Sequence, residues 1–296
     1  MAELIDTIPV RNTLGEGVTW DTETQRLWWT DIHARQLFRY DPVRRGIDTF
    51  ETPERLGSFG LVAGSTKLIA AFESGVGFYQ PGARDIEWLA RPRFGATGLR
   101  FNDGRVDRQG RFWAGTMTED LTDAPTAALY RVDADGTASV HVTGVSISNG
   151  ICWSPDSRKF YFADSPLRTI FEYEFDAEAG QISNRRVFAH TPEGAYPDGA
   201  NVDREGYLWS AHWGAGRVVR YAPDGVIDMF IEMPVSQPTC VAFGGPDLDL
   251  LFVTSGRDGL SADSLLRQPS AGAVFVYKVP VSGLSDGRYI SEKARP

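Results

Sequence analysis

The sequence predicts an all-β fold, a six-bladed β-propeller whose ring is closed by an N-terminal strand, and three observations predict it. Short apolar-aromatic runs recur at a near-constant interval, neighbouring segments alternate apolar and polar residues, and tight-turn residues separate the two. The runs are Leu27-Trp28-Trp29, Leu68-Ile69-Ala70, Phe112-Trp113-Ala114, Phe160-Tyr161-Phe162, Leu208-Trp209-Ser210 and Leu251-Phe252-Val253, whose first residues lie 41, 44, 48, 48 and 43 positions apart. Six such units fill residues 1–296 as one domain and leave no room for a second. A period in the forties with three or four short strands per unit is what radial repetition of small sheets produces.

Each unit runs in the same order. A small-residue turn leads into an inner strand, a tight polar turn follows, then the aromatic strand, then a third strand. The third strands include Gln36-Leu37-Phe38-Arg39-Tyr40, Ala128-Leu129-Tyr130-Arg131-Val132, Thr169-Ile170-Phe171-Glu172-Tyr173 and Arg217-Val218-Val219-Arg220-Tyr221. Their alternation is the period-2 pattern of strands with two unlike faces. The turns Asp107-Arg108-Gln109-Gly110, Asp133-Ala134-Asp135-Gly136, Asp203-Arg204-Glu205-Gly206 and Pro223-Asp224-Gly225 place Gly or Asp where a hairpin needs positive φ. No window of a dozen residues has helical periodicity. Glu3 to Ile8 precedes the first inner strand with nothing in its own unit left to pair with, so it is expected to supply the outer strand of blade six.

Composition narrows the function. At 42% hydrophobic and 23% charged residues the chain is of ordinary globular type, and 30 Lys and Arg against 39 Asp and Glu give a net charge of −9. Such a charge repels nucleic acid and anionic membrane surfaces. No apolar stretch approaches the roughly 20 residues of a membrane-spanning helix. The start, Met1-Ala2-Glu3-Leu4-Ile5-Asp6, carries acids where an export signal needs a basic region, so a cytoplasmic protein is expected. Cys152 and Cys240 fit neither a disulfide framework nor a zinc site and read as buried free thiols.

Inner strands line a propeller's channel. Aligning the units on Trp20, Val62, Val106, Trp153, Val202 and Val241, the residues four positions earlier are Glu16, Ser58, Asn102, Asn149, Asp198 and Gln237. All six are polar. Glu16, Asn149 and Asp198 are oxygen donors, each followed by a glycine, and two carboxylates converging in a narrow tunnel repel unless a cation lies between them. Carboxylate and amide oxygens without thiolate or imidazole suit one hard divalent ion such as Ca²⁺, Mg²⁺ or Mn²⁺; Zn²⁺ and Fe²⁺ stay open because oxygen ligands accept several ions. The ends of the second strands bring Asp31, Glu119, Asp164, His212 and Arg257 to the same face, with Asp164 and His212 as candidate supporting residues. His33, His141 and His190 are scattered and read as structural.

Motifs of competing chemistries are absent: no Gly-x-Ser-x-Gly, His-Glu-x-x-His, Cys-x-x-Cys, phosphate loop or dinucleotide fingerprint occurs. The motifs that do occur are Leu14-Gly15-Glu16-Gly17, Arg100-Phe101-Asn102-Asp103-Gly104 with Phe112-Trp113-Ala114-Gly115-Thr116-Met117, Ser148-Asn149-Gly150 with Ser154-Pro155-Asp156, and Tyr196-Pro197-Asp198-Gly199. In combination and order they resemble the SMP-30/gluconolactonase/LRE family, over nearly the whole chain. Val18 departs from the Pro common there.

The resemblance implies a single divalent metal and hydrolysis of sugar lactones to aldonic acids, the substrate being a glucono-, xylono- or arabinolactone or a charged gluconolactone. It implies Glu16, Asn149 and Asp198 as metal ligands, Arg100, Asn102 and Glu119 as substrate-binding residues, and Asp198 as the catalytic carboxylate. Either Asp198 or the ion itself would activate the attacking water. Arg100 suits a negative substrate group as well as a hydroxyl. Two other readings stay open: a Ca²⁺-binding propeller without catalysis, which would not need Arg100, Asn102 and Glu119, and an esterase acting on organophosphate or aryl esters. Ser255 to Gly272 is a long insertion that could form a substrate-selecting rim or a plain surface loop.

Overall fold

The computed structural model describes residues 2–92, 98–120 and 125–292. They form six four-stranded antiparallel sheets arranged in a ring, the propeller expected from the repeat. Blade 1 comprises Gly15–Asp21, Arg26–Asp31, Gln36–Asp41 and Gly46–Glu51; blade 2, Leu56–Leu61, Leu68–Phe72, Gly75–Tyr79 and Glu87–Ala90. Blade 3 comprises Leu99–Val106, Phe112–Thr118, Ala127–Val132 and Ala138–Val145; blade 4, Ser148–Trp153, Lys159–Asp164, Thr169–Asp176 and Gln181–His190. Blade 5 comprises Tyr196–Val202, Leu208–Trp213, Arg217–Tyr221 and Ile227–Glu232. Blade 6 takes Pro238–Gly244, Leu250–Ser255 and Val274–Lys278 from the end of the chain and Glu3–Ile8 from its beginning. Ile8 pairs with Val274 and Glu3 with Lys278, which closes the ring as expected.

Burial follows the strand order. The inner strands of blades 1, 2, 4 and 6 are buried throughout, whereas outer strands such as Gly46–Glu51 are mostly exposed. Between blades the aromatic strands interlock. Trp20 of blade 1 stacks on Phe252 of blade 6 at 5.5 Å, and Trp113 of blade 3 packs against Trp153, Phe160 and Phe175 of blade 4. Offset and edge contacts of this kind contribute beyond area burial.

The hairpin turns use one device twice. In Asp107-x-x-Gly110 the aspartate accepts the amides of Gln109 and Arg111 and, at 3.0 Å, the indole N–H of Trp113. Asp203 does the same for Glu205, Tyr207 and Trp209. Each carboxylate thus ties a surface turn to a buried ring.

Two features lie outside the strand pattern. A six-residue helix, Ala262–Arg267, sits in the insertion of blade 6, capped by Ser261, whose side chain accepts the Ser264 amide. One turn of helix is too short to leave a periodic signature in a dozen-residue window. The segment 279–292 crosses the face of the propeller where the inner hairpins turn, with backbone bonds from Arg204 to Ser282, Tyr289 to Leu61 and Ile290 to Gly110. From it Asp286 forms an ion pair at 2.7 Å with Arg105, which lies on the inner strand of blade 3. No helix of the described residues is long and apolar enough to cross a membrane.

Candidate active site

The tunnel residues are aimed by a defect repeated six times. In every blade the pairing of the first two strands slips near the tunnel mouth, between Glu16 and Thr19, Leu56 and Ser58, Phe101 and Gly104, Asn149 and Cys152, Pro197 and Ala200, and Pro238 and Val241. A bulge bends its strand and re-aims the side chains beside it. Gly17 and Gly150, directly after Glu16 and Asn149, adopt φ of 60° and 66°, a region that disfavours side chains. Gly199 answers a different need, since a Cβ there would meet Cys240 Sγ at 2.5 Å. Gly17 and Gly150 are thus required by the local backbone, and Gly199 by the close approach of blade 6.

Glu16, Asn149 and Asp198 are 7%, 4% and 7% exposed. A chain of hydrogen bonds fixes the amide. Asn149 Nδ2 donates to Ser165 Oγ at 2.8 Å, Ser165 Oγ donates to the Pro197 carbonyl at 2.7 Å, and Asn149 Oδ1 accepts from Asn102 Nδ2 at 3.1 Å. The amide nitrogen is thereby turned away from Asn102, and the oxygen keeps a free lone pair. Asn102 Oδ1 in turn accepts from Arg100 Nη1 at 2.9 Å.

The electrostatics oppose two free carboxylates. Burial, and then Asp103, pushes the Glu16 carboxyl up to about 8, against the Gly17 amide and Arg100. Asp198 is raised well above the usual range by burial, then by Glu16 and Asp103. Two buried carboxyls that are both raised, beside an amide oxygen held in place, match the donor set of a hard divalent ion. Among the described residues no three Asp, Glu, His or Cys side chains group closely enough to hold an ion, so such a site depends on the asparagine.

At the mouth Arg100 is 3% exposed, its Nε 3.5 Å from Glu119 Oε1. Burial lowers its guanidinium to about 10, with Glu119 opposing. Arg100, Asn102 and Glu119 thus meet next to Asn149, bringing the expected substrate residues into one cluster. Asp164 is engaged differently, both its oxygens accepting backbone amides, of Ser146 and Ile147, at 3.0 Å. Asp31 likewise holds the amides of Thr13, Leu14 and Ala34. His212 contacts the Tyr221 hydroxyl at 3.2 Å, and burial lowers its imidazole to about 4, so it is neutral near pH 7. Ser58 and Gln237 complete the polar level, both buried, and Gln237 donates to the Asp258 carbonyl of the insertion.

Three partners escaped the sequence reading. Asp103 lies within the motif that supplies Arg100 and Asn102, and its carboxylate accepts the Ile151 amide at 3.0 Å, pinning the bulge after Asn149. Ser165 sits in a single 3-10 turn, Ser165–Leu167, after the second strand of blade 4. Arg55 precedes the inner strand of blade 2 and grips Glu119 and Glu73 together. Adjacency to Asn102 could have pointed to Asp103; no spacing in the sequence pointed to the other two.

Comparison with known proteins places the chain among lactonases and regucalcins by sequence and fold. The chain is 40% identical over 277 residues to the 6-deoxy-6-sulfogluconolactonase of Pseudomonas putida, covering 93% of this chain and 94% of that protein. It is 39% identical to the L-arabinolactonase of Azospirillum brasilense, covering 94% and 93% respectively. Among solved structures, the calcium-binding protein regucalcin from Agrobacterium tumefaciens superposes with a TM-score of 0.91 at 29% identity, covering 97% of each chain. Residues 14–257 match the SMP-30/gluconolactonase/LRE-like region, and the chain belongs to that family.

Proposed function

We propose that this protein is a metal-dependent hydrolase that opens sugar lactones to aldonic acids, with Glu16, Asn149 and Asp198 as the metal ligands. The supporting observation is the convergence, at one level of the tunnel, of two raised buried carboxyls and an oriented amide beside Arg100, Asn102 and Glu119. An ion-binding scaffold would use Asn102 and Arg100 to orient Asn149 but has no use for Glu119, which touches none of the three proposed ligands. When bound, a divalent ion would act as a Lewis acid toward the lactone carbonyl and offset the negative charge that builds on its oxygen.

The chain's own groups do the rest. Glu119 and the remaining lone pair of Asn102 Oδ1 accept hydrogen bonds from ring hydroxyls, the Asn102 amide hydrogens being held by the Ser148 carbonyl and Asn149 Oδ1, and the Arg100 fork orients the lactone against the tunnel. Asp198 accepts a proton from the water that adds to the carbonyl carbon. The proton returns to the ring oxygen as its bond to the acyl carbon breaks, leaving a hydroxy acid. The buried tunnel limits bulk water around these steps, which strengthens each interaction. The relatives' names attach to a sulfonated gluconolactone and to an arabinolactone. Glucono-, xylono- and arabinolactones and a charged gluconolactone are accordingly the candidate substrates.

The test is acid release from a panel of γ- and δ-aldonolactones by chelator-stripped protein, before and after adding Mg²⁺, Mn²⁺, Ca²⁺, Zn²⁺ or Fe²⁺. Metal-restored hydrolysis, lost in Asp198→Ala, is expected. Silence across the panel with ion demonstrably bound would favour the non-catalytic ion binder, and turnover confined to aryl or organophosphate esters would replace the sugar.

A further inference from the structure

The polar contacts at the tunnel mouth do not stop at Glu119, which Arg100 meets as an ion pair. Arg55, immediately before the inner strand of blade 2, donates from Nη1 to Glu119 Oε1 at 2.5 Å and from Nη2 to Oε2 at 3.1 Å. Its Nε and Nη2 reach Glu73 Oε2 and Oε1, both at 2.8 Å. One guanidinium therefore forks onto two carboxylates from two blades. The turn bearing Glu73 is itself held, because the Glu54 carboxylate accepts the amide and the hydroxyl of Ser74 at 3.0 Å. From Glu73 a series of hydrogen bonds and ion pairs runs through Arg55, Glu119, Arg100, Asn102, Asn149 and Ser165 to the carbonyl preceding Asp198, the Glu119–Arg100 link being an ion pair at 3.5 Å.

We infer that Arg55 is a specificity-determining positioning residue, which holds the Glu119 carboxylate in the orientation that receives the hydroxyls of a polyhydroxylated lactone. This rests on the lactonase reading above and deepens it. A carboxylate offers about four acceptor positions. Arg55 occupies two of those of Glu119 and Arg100 Nε faces a third at 3.5 Å, and among the described residues no further partner takes the fourth on a side chain still 38% exposed. An unheld glutamate on a surface loop would sample several rotamers and would have to be ordered by each incoming substrate. Bidentate contact also explains why arginine is required, since lysine offers a point charge with no fixed fork. Glu73 supplies the counter-charge that keeps Arg55 from pulling Glu119 toward blade 2 unopposed. The device acts on ring hydroxyls, not on the acyl carbon, so it governs which lactone binds and leaves the hydrolytic step alone.

The test compares Arg55→Ala, Arg55→Lys and Glu73→Gln with the native protein on a neutral aldono-γ-lactone and on dihydrocoumarin, a lactone without hydroxyls. For Arg55→Ala the KM for the aldonolactone is expected to rise about tenfold or more, the scale of losing a charge-assisted contact, with kcat changed less than about threefold. The rise in KM should be clearly larger for the aldonolactone than for dihydrocoumarin, which offers Glu119 no hydroxyl. Arg55→Lys should recover part of the loss and Glu73→Gln should cause a smaller one. An unchanged aldonolactone KM in Arg55→Ala, or equal losses on both lactones, overturns the proposal. If Arg55→Ala does not fold, the same criteria apply to Arg55→Lys and Glu73→Gln. A native protein inactive on every lactone overturns the lactonase reading itself, a result distinct from native activity that is indifferent to Arg55.

Discussion

Replacing Ser165 by alanine isolates the support of the proposed metal ligand from the ligand itself. Ser165 Oγ accepts Asn149 Nδ2 at 2.8 Å and donates to the Pro197 carbonyl at 2.7 Å, so it ties together the two strand starts that carry Asn149 and Asp198. Ser165 is 6% exposed and Asn149 4%, so the substitution leaves a buried N–H and a weakened carbonyl with no ready water. An unsatisfied buried group costs about 1–3 kcal/mol. At roughly 2–4 °C per kcal/mol for chains approaching this size, the melting point of the metal-free protein should fall by several degrees. The larger effect falls on the ion. With Nδ2 released, only the Asn102 contact to Oδ1 still fixes the amide, and loss of such outer partners typically lowers metal affinity about 10- to 100-fold. Affinity is measured by competition with a fluorescent chelator and stability by melting in EDTA. A Ser165→Ala protein that melts lower yet binds the ion as tightly as the native one would refute the role assigned to the Asn149 orientation.

Further predictions concern protons, thiols and the closing segment. With Glu16 raised to about 8 and Asp198 raised beside it, the metal-free protein holds protons at neutral pH, so ion binding near pH 7 should release at least one. Calorimetry in buffers of different ionisation enthalpy detects this, and affinity should climb as pH approaches 8. For the metal-free fold the sign is the reverse: because the folded carboxyl titrates above its unfolded value of 4.5, the stability it contributes is whole below about 4.5 and is lost as pH rises toward 8. Melting points in EDTA across that window should fall, and saturating ion should abolish the fall. Cys152 and Cys240 are buried with thiols raised by burial, so neither should react with a thiol reagent until the protein unfolds. Tyr289 is fully buried against Phe78, its hydroxyl donating to the Asp133 carbonyl at 2.5 Å. Tyr289→Ala should cost about 3–5 kcal/mol in urea unfolding, whereas Tyr289→Phe should lose only about 1 kcal/mol.

Legibility in the sequence tracked how local each feature is. The six blades could be read because every one repeats the same short strands, with explicit Asp-x-x-Gly or Asp-Gly turns in blades 3 and 5, and Glu3–Ile8 stood out as a strand without a partner in its own unit. The polar level at Glu16, Ser58, Asn102, Asn149, Asp198 and Gln237 could be read because one offset within the repeat finds it, and the six bulges place it at the tunnel. What could not be read is contact between blades. Arg55 meets Glu119 across 64 positions, and Arg105 meets Asp286 across 181. Single polar residues in turns give no sign of such partners. Asp164 looked like part of the funnel for the converse reason, since an acid at the end of a second strand serves equally well to hold loop amides.

The account centres on one ion and one carboxylate, and a single titration addresses both. Chelator-stripped protein is titrated with Mn²⁺ while bound ion and aldonolactone hydrolysis are followed on the same samples, for the native chain and for Asp198→Asn. The expected result is hydrolysis rising in step with ion to saturation at one equivalent, with Asp198→Asn inactive even where ion is driven on by excess. Full hydrolysis by stripped protein, or near-native turnover by Asp198→Asn, would contradict it.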